Sequence, residues 1–193
     1  MNIKDLKSVL NMISLINMYG GLRTGEAVVL AELVSQLPAN SKIVEVGSLA
    51  GRSSCALCFY AKHMQVYCVD AWDVKYIKDL VLKEIFSNID VLKVFKNNMA
   101  KNGFTPVALR LTSVEASKRF KDNSIDLIFI DADHAYESIR EDIQSWLPKV
   151  KKGGIICGHD YSGQEKGVIK AVDELLGKNK IETILSIWIH RKE

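Results

Sequence analysis

Ile125-Asp126-Leu127-Ile128-Phe129-Ile130, running into Asp131-Ala132-Asp133-His134, is the stretch on which the fold turns. Five of its first six residues are apolar and do not alternate with polar ones, so it reads as a strand buried on both faces. Polar chemistry arrives only where the strand stops. Upstream and downstream the same pattern repeats, with near-continuous runs at 42–46, 65–70, 107–111 and 155–157 and one or two closing strands between 181 and 190. Helical spacing fills the gaps: about Thr24–Leu37, Arg52–Lys62, 75–102, Val114–Phe120, Ala135–Leu147 and Glu165–Leu176. Thr24 is a candidate N-cap, Pro38 a stop, and Asp133 a candidate N-cap for the helix at Ala135. Buried strands separated by helices predict a doubly wound α/β domain, a mostly parallel sheet with helices on both faces. Such sheets bind ligands beyond the carboxyl ends of their strands.

Residues 3–18 place Ile3, Leu6, Val9, Leu10, Ile13 and Ile16 at helical spacing, which predicts an amphipathic N-terminal helix. Its apolar stripe suits core packing, a lid over a cofactor, or pairing of two copies as a homodimer. No linker or repeat interrupts the 193 residues, so a single domain is expected, with a helical segment over 1–40 and the α/β core over 41–193. Charged residues make up 25% and hydrophobic ones 48%, which excludes a disordered tail or a coiled-coil rod. Twenty-six basic residues against 23 acidic leave +3, too even to suggest a nucleic-acid partner. No apolar run approaches the roughly 20 residues of a membrane helix. The opening Met1-Asn2-Ile3-Lys4-Asp5 has no secretory leader, and the expected compartment is the cytoplasm. Cys55-Ala-Leu-Cys58 has a zinc or redox spacing, but no second pair completes it, and with Cys68 and Cys157 it is expected to supply reduced core thiols.

The strand ends carry the candidate site. Glu45-Val46-Gly47-Ser48-Leu49-Ala50-Gly51-Arg52-Ser53 turns sharply at Gly47 and starts a helix at Gly51, close to where a ligand would lie. Asp70, at the end of the next strand, has the acidic character that accepts ribose hydroxyls. This pattern suits a nucleoside and lacks the G-x-G-x-x-G of a pyrophosphate site. Trp72 reads more readily as packing than as a contact to a base. Thr112-Ser113, Asp131 with His134, and His159-Asp160 follow the next three strands. Two carboxylates and an imidazole, Asp131, Asp160 and His159, form a donor set suited to a divalent cation.

Together, Glu45-Val46-Gly47-Ser48-x-x-Gly51-Arg52-Ser53, Val69-Asp70-Ala71-Trp72-Asp73, Ile130-Asp131-Ala132-Asp133-His134-Ala135-Tyr136-Glu137 and Gly153-Gly154-x-x-x-Gly158-His159-Asp160-Tyr161 resemble class I S-adenosylmethionine-dependent methyltransferases. The resemblance spans roughly residues 24–190 and is nearest to methyltransferase family 24, related to catechol-type and macrolide-sugar O-methyltransferases. It implies a Rossmann-like seven-stranded sheet with a reversed final strand. It also implies that Glu45, Gly47 and Ser48 serve the methionine end of the cofactor, with Gly51 and Ser53 among the cofactor-binding residues and Asp70 at the ribose. Ala71-Trp72 and Thr112-Ser113 then border the adenine. Asp131 and His134 close over the cofactor, and Asp131, His159 and Asp160 stand where catechol-type relatives hold magnesium. His159 replaces an aspartate of that set, so it could ligate a cation or act as a base.

The activity this implies is O-methylation of a small-molecule hydroxyl, with Asp131, His134 and His159 as catalytic candidates and Mg2+ or another divalent cation assisting. An NAD-dependent oxidoreductase of Rossmann type and a non-catalytic nucleotide-binding protein remain open at this stage.

Overall fold

The computed structural model describes residues 20–193; the helix expected over 3–18 lies outside them. The chain enters through α1 (Thr24–Ser35), then β1 (Lys42–Val46), α2 (Arg52–Phe59) and β2 (Gln65–Asp70). A single 3-10 turn at Val74–Tyr76 leads to α3 (Leu80–Phe86) and α4 (Val91–Lys101), followed by β3 (Val107–Arg110) and the short α5 (Ser113–Ser117). Then come β4 (Ile125–Ile130), α6 (Tyr136–Trp146), β5 (Val150–Gly158), α7 (Lys166–Val172), β6 (Glu182–Ile184) and β7 (Ile187–Arg191). The seven strands lie in the order β3-β2-β1-β4-β5-β7-β6. β1 to β5 are parallel, and β7 runs antiparallel between β5 and β6.

Because successive side chains leave a strand on opposite faces, each strand feeds two cores. Ile43, Cys68, Leu127, Phe129 and Cys157 pack against Leu30 of α1, Leu57 of α2 and Phe95 of α4. Val44, Val69, Ile128, Ile130 and Ile156 pack on the other face against Ile143 and Trp146 of α6 and Val168 of α7. With both faces covered, the central strands have no polar side to show, which is why β4 reads as an unbroken apolar run. All four cysteines are free and buried in this packing.

The first helix takes Arg23, not Thr24, as its N-cap, closed by a capping box with Glu26, and three further boundaries differ from expectation. The span 75–102 is two helices, because Asp79 and Asp90 each turn a side chain onto the backbone N–H three residues on, capping a new helix. β5 starts at Val150 rather than after Gly153-Gly154, and its register against β4 shifts between Ile125 and Leu127, so the extra residues bulge out of the ladder. The helix expected from Ala135 begins at Tyr136, with Ala135 as its N-cap. Asp133 instead accepts from the Ala135 N–H at 3.4 Å and the Ser138 hydroxyl at 2.8 Å.

Candidate active site

The ladder does not stop at the strand ends. The Asp131 N–H donates to the Val46 carbonyl at 2.8 Å, Gly47 N–H to Val69 at 2.9 Å and His159 N–H to Ile130 at 3.1 Å. These bonds carry sheet rigidity one residue into the loops, setting Gly47, Asp131 and His159 side by side. Gly47 has φ +93°, and a Cβ there would lie 2.1 Å from the Asp131 carbonyl oxygen, so only glycine lets these loops close together.

They enclose a crevice of about 1160 Å³ lined by residues from every strand end from β1 to β5. Gly47, Ser48, Ser53 and Asp70 contribute to its wall, as do Ala71, Trp72, Thr112 and Ser113. Asp131, His134, His159 and Asp160 complete it. Two of the candidate site residues in the glycine motif, Gly51 and Glu45, stand outside the lining. Gly51 adopts φ +95° to start α2 beneath Met99 and Phe95. Glu45 is fully buried and accepts from the Ser48 hydroxyl at 2.6 Å and from Ser54. Burial pushes its carboxyl up, and the serine hydroxyls around it pull part of the way back.

Asp70 is a clamp as well as a lining residue. One carboxylate oxygen accepts from the Leu49 N–H at 2.8 Å and the other from the Trp72 N–H at 2.6 Å. Leu49 and Trp72 both sit at positive φ, +41° and +44°, a conformation that costs a side-chain-bearing residue roughly 1–3 kcal/mol. The Trp72 indole closes the clamp by donating to the Leu49 carbonyl at 2.8 Å, and its ring packs on Phe95. A carboxylate has about four lone-pair positions, and the Ser48 N–H also faces this one, which leaves room for a ligand hydroxyl. Burial pushes the Asp70 carboxyl up, and the backbone N–H groups oppose it.

At the other end stands a charge cluster. His134 Nε2 lies 3.1 Å from Asp160 and 3.8 Å from Asp131. His159 Nδ1 lies 3.2 Å from Asp160 and 3.5 Å from Asp131. Behind His159, Nε2 meets Glu26 of α1 at 2.9 Å. Glu26 is itself 1% exposed and accepts from the Ser186 hydroxyl at 2.6 Å and the Arg23 N–H at 2.7 Å. Burial works against a charge on His159, yet Asp131 and Asp160 outweigh it and push the imidazole up to about 11. It is therefore an imidazolium at neutral pH. Asp131 and Glu26 are both held low despite burial, Asp131 by His134 and His159, Glu26 by Ser186, Arg23 and His159. His134, half-exposed to the crevice, is raised by its hydrogen bond to Asp131, against burial. Asp160 holds φ +60°, which an aspartate tolerates better than most residues.

Asp131, His134 and Asp160 also bring ligand atoms within 4.8 Å of one another, the one such trio among the described residues. His159 reaches the same carboxylates from the buried side, with its second nitrogen committed to Glu26.

Sequence reading missed Glu26, Ser186 and Asp142. Asp142, on α6, is 5% exposed, lines the crevice and accepts a hydrogen bond from Ser113. Each meets its partner across 29 to 160 positions of chain, and no local motif marks it.

The strand order, the reversed β7 and the crevice above the parallel strand ends define a class I, Rossmann-like methyltransferase fold. Residues 44–161 match the family model described as a methyltransferase domain, and the chain belongs to that family, methyltransferase family 24. The Bacillus cereus O-methyltransferase, solved in complex with SAH, superimposes with a TM-score of 0.65 at 18% identity, over 100% of this chain and 92% of that one. The Thermotoga maritima SAM-dependent O-methyltransferase gives 0.67 at 11% identity, over 95% and 71%. At these identities the likeness is one of fold. Protein y4gI of Sinorhizobium fredii (strain NBRC 101917 / NGR234) is 28% identical over 130 residues, 65% of this chain. The chain matches 14% of that relative's length. No helix among the described residues is long and apolar enough to cross a membrane.

Proposed function

We propose that this protein transfers a methyl group from S-adenosylmethionine to a hydroxyl of a small molecule. The observation that carries this reading is that Asp70 and the cluster of Asp131, His134, His159 and Asp160 open into one crevice. The cofactor's sulfonium supplies an activated methyl. Asp70 accepts a ribose hydroxyl on the lone-pair space its backbone clamp leaves open. The Gly47-Ser48 turn admits the methionine end beside Asp131. Aligning acceptor and methyl in line is the main task, and a well-fixed site gains most from it.

The acceptor hydroxyl must also lose its proton. The His159 imidazolium, held between Glu26 and the two aspartates, fixes Asp131 and Asp160 at the crevice wall beside the acceptor. His134, open to the crevice, takes the proton. The S–C bond breaks as the O–C bond forms, and the thioether leaves. Asp131, His134 and Asp160 also have the chemistry to hold a divalent cation, which would lower the hydroxyl's pKa in place of His134 acting as base.

S-Adenosylhomocysteine at 100 times its Kd should stabilise the protein by about 2.7 kcal/mol, a Tm rise of roughly 5–10 °C at this size. Tritiated S-adenosylmethionine offered with a panel of phenols, catechols and sugars then reports transfer, run with Mg2+ and with EDTA. Absence of any thermal shift on folded protein removes the reading, and transfer undiminished by EDTA removes the cation.

A further inference from the structure

We propose that the protein carries a second binding site, for a small organic anion with a flat apolar body. It lies on the α5 face of the sheet at the β3 edge, and it does not depend on the methyl-transfer reading.

A largely parallel sheet is normally covered by helices on both faces. On this face the crossover from β3 to β4 supplies only α5, five residues and so about 7.5 Å of helix. The six residues of β2 beneath it run for about 20 Å. Part of the face is therefore left open, as a cavity of about 620 Å³. That volume falls within the roughly 300–1,000 Å³ of small-molecule sites. Tyr67, Leu109 and Leu111 alternate onto this face and form the floor with Phe120 of the crossover. The Tyr67 and Phe120 rings meet edge to face with centroids 5.1 Å apart, and Trp146 packs behind Phe120.

The charged lining has one sign. Lys42 comes from β1, Arg119 and Lys121 come from the crossover, and no carboxylate lines the cavity. None of the three cations has an ion-pair partner among the described residues. The acids close by in sequence are already matched. Asp122 pairs with Lys149 at 2.6 Å, and Asp126 pairs with Lys151 at 2.8 Å while accepting the Lys42 backbone N–H. Arg110 also lines the cavity, but its guanidinium donates to the Ala71 and Trp72 carbonyls, both at 3.3 Å.

Two needs thus meet in one concavity. The cations match a carboxylate or a phosphate, which accepts charge-assisted hydrogen bonds from lysine and arginine. The floor matches a flat apolar group. A bare anion leaves the floor wet, and a neutral ring leaves the cations unmatched. Only a ligand with both parts answers both.

Amide shifts of the 15N-labelled protein test this with 1-naphthyl phosphate, 1-naphthoate, neutral 1-naphthol and inorganic phosphate. The two aryl anions should move amides at 107–111 and 119–124 saturably, and the tighter of them identifies the head group. Naphthol and inorganic phosphate should each bind about tenfold more weakly or worse. The double variant R119Q/K121Q should weaken the tighter aryl anion about tenfold, and K42Q several-fold, while both melt with wild type. Shifts that fall instead at Gly47, Asp70 and Asp131 place the probe in the crevice and overturn the proposal. So do the absence of any saturable shift, inorganic phosphate binding as well as the aryl anions, or unchanged affinity in both variants. A ten-nucleotide RNA that binds the same amides more tightly than either aryl anion overturns it in favour of a nucleic-acid surface.

Discussion

Burial penalises a carboxylate and an imidazolium alike, and at Asp142 and His159 the outcome differs because of what stands beside each. His159 faces three carboxylates, which more than offset its desolvation. Asp142 has one hydroxyl donor, while Glu141 and Asp133 add like charge, so its carboxyl is pushed up to about 6 from an ordinary value of 3.8. The protonated form is favoured by folding. The stability this represents is present below pH 4 and lost as pH rises through 6, a change of about 3 kcal/mol. D142N carries no charge to desolvate. Relative to wild type, its unfolding free energy in urea should therefore rise by about that amount between pH 4 and pH 7.5. A difference that stays constant across that range would show that Asp142 ionises in the fold as it does in water.

At the scale of elements, the turn between β1 and α2 is where the sheet's order becomes the site's. A G47A change puts a methyl 2.1 Å from the Asp131 carbonyl and forces φ +93° on an L-residue. Backbone on both sides prevents relief, so urea melts should show a loss of about 3 kcal/mol. S-Adenosylhomocysteine affinity should fall at least tenfold as the loops separate. G163A is the control, since a Cβ there meets nothing within 4 Å and its φ is unexceptional; it should melt with wild type. A G47A protein with wild-type affinity would mean that the close approach of these loops is incidental to binding. The sequence made this turn legible, together with the alternation of strands and helices, because hydrophobic period and glycine placement act locally. It did not disclose the division of 75–102 into α3 and α4, where two aspartates outweigh a helical pattern that continues through them. Nor did it disclose the bulge that lets β5 begin at Val150, which depends on the facing register of β4.

For the whole molecule, the site divides along the same line. Residues at strand ends were readable because an α/β sheet brings all its carboxyl ends to one rim, whatever the helices between them do. Glu26, Ser186 and Asp142 were not, because what matters about each is a partner that tertiary packing alone selects. Glu26 makes the point most sharply. It joins α1 to His159 after β5 and to Ser186 in the turn before β7, so three remote parts of the chain meet on one carboxylate. Removing one partner of a buried charged pair usually costs 3–5 kcal/mol, whereas losing a hydroxyl donor costs about 1 kcal/mol. If the three elements act as one unit, E26Q and S186A should not add. Their double-mutant cycle in urea should give a coupling of about 1 kcal/mol, since once Glu26 is neutral the Ser186 hydroxyl has less to stabilise. Additive losses would instead make the terminal hairpin an independent flap on the sheet edge, with His159 held by α1 alone.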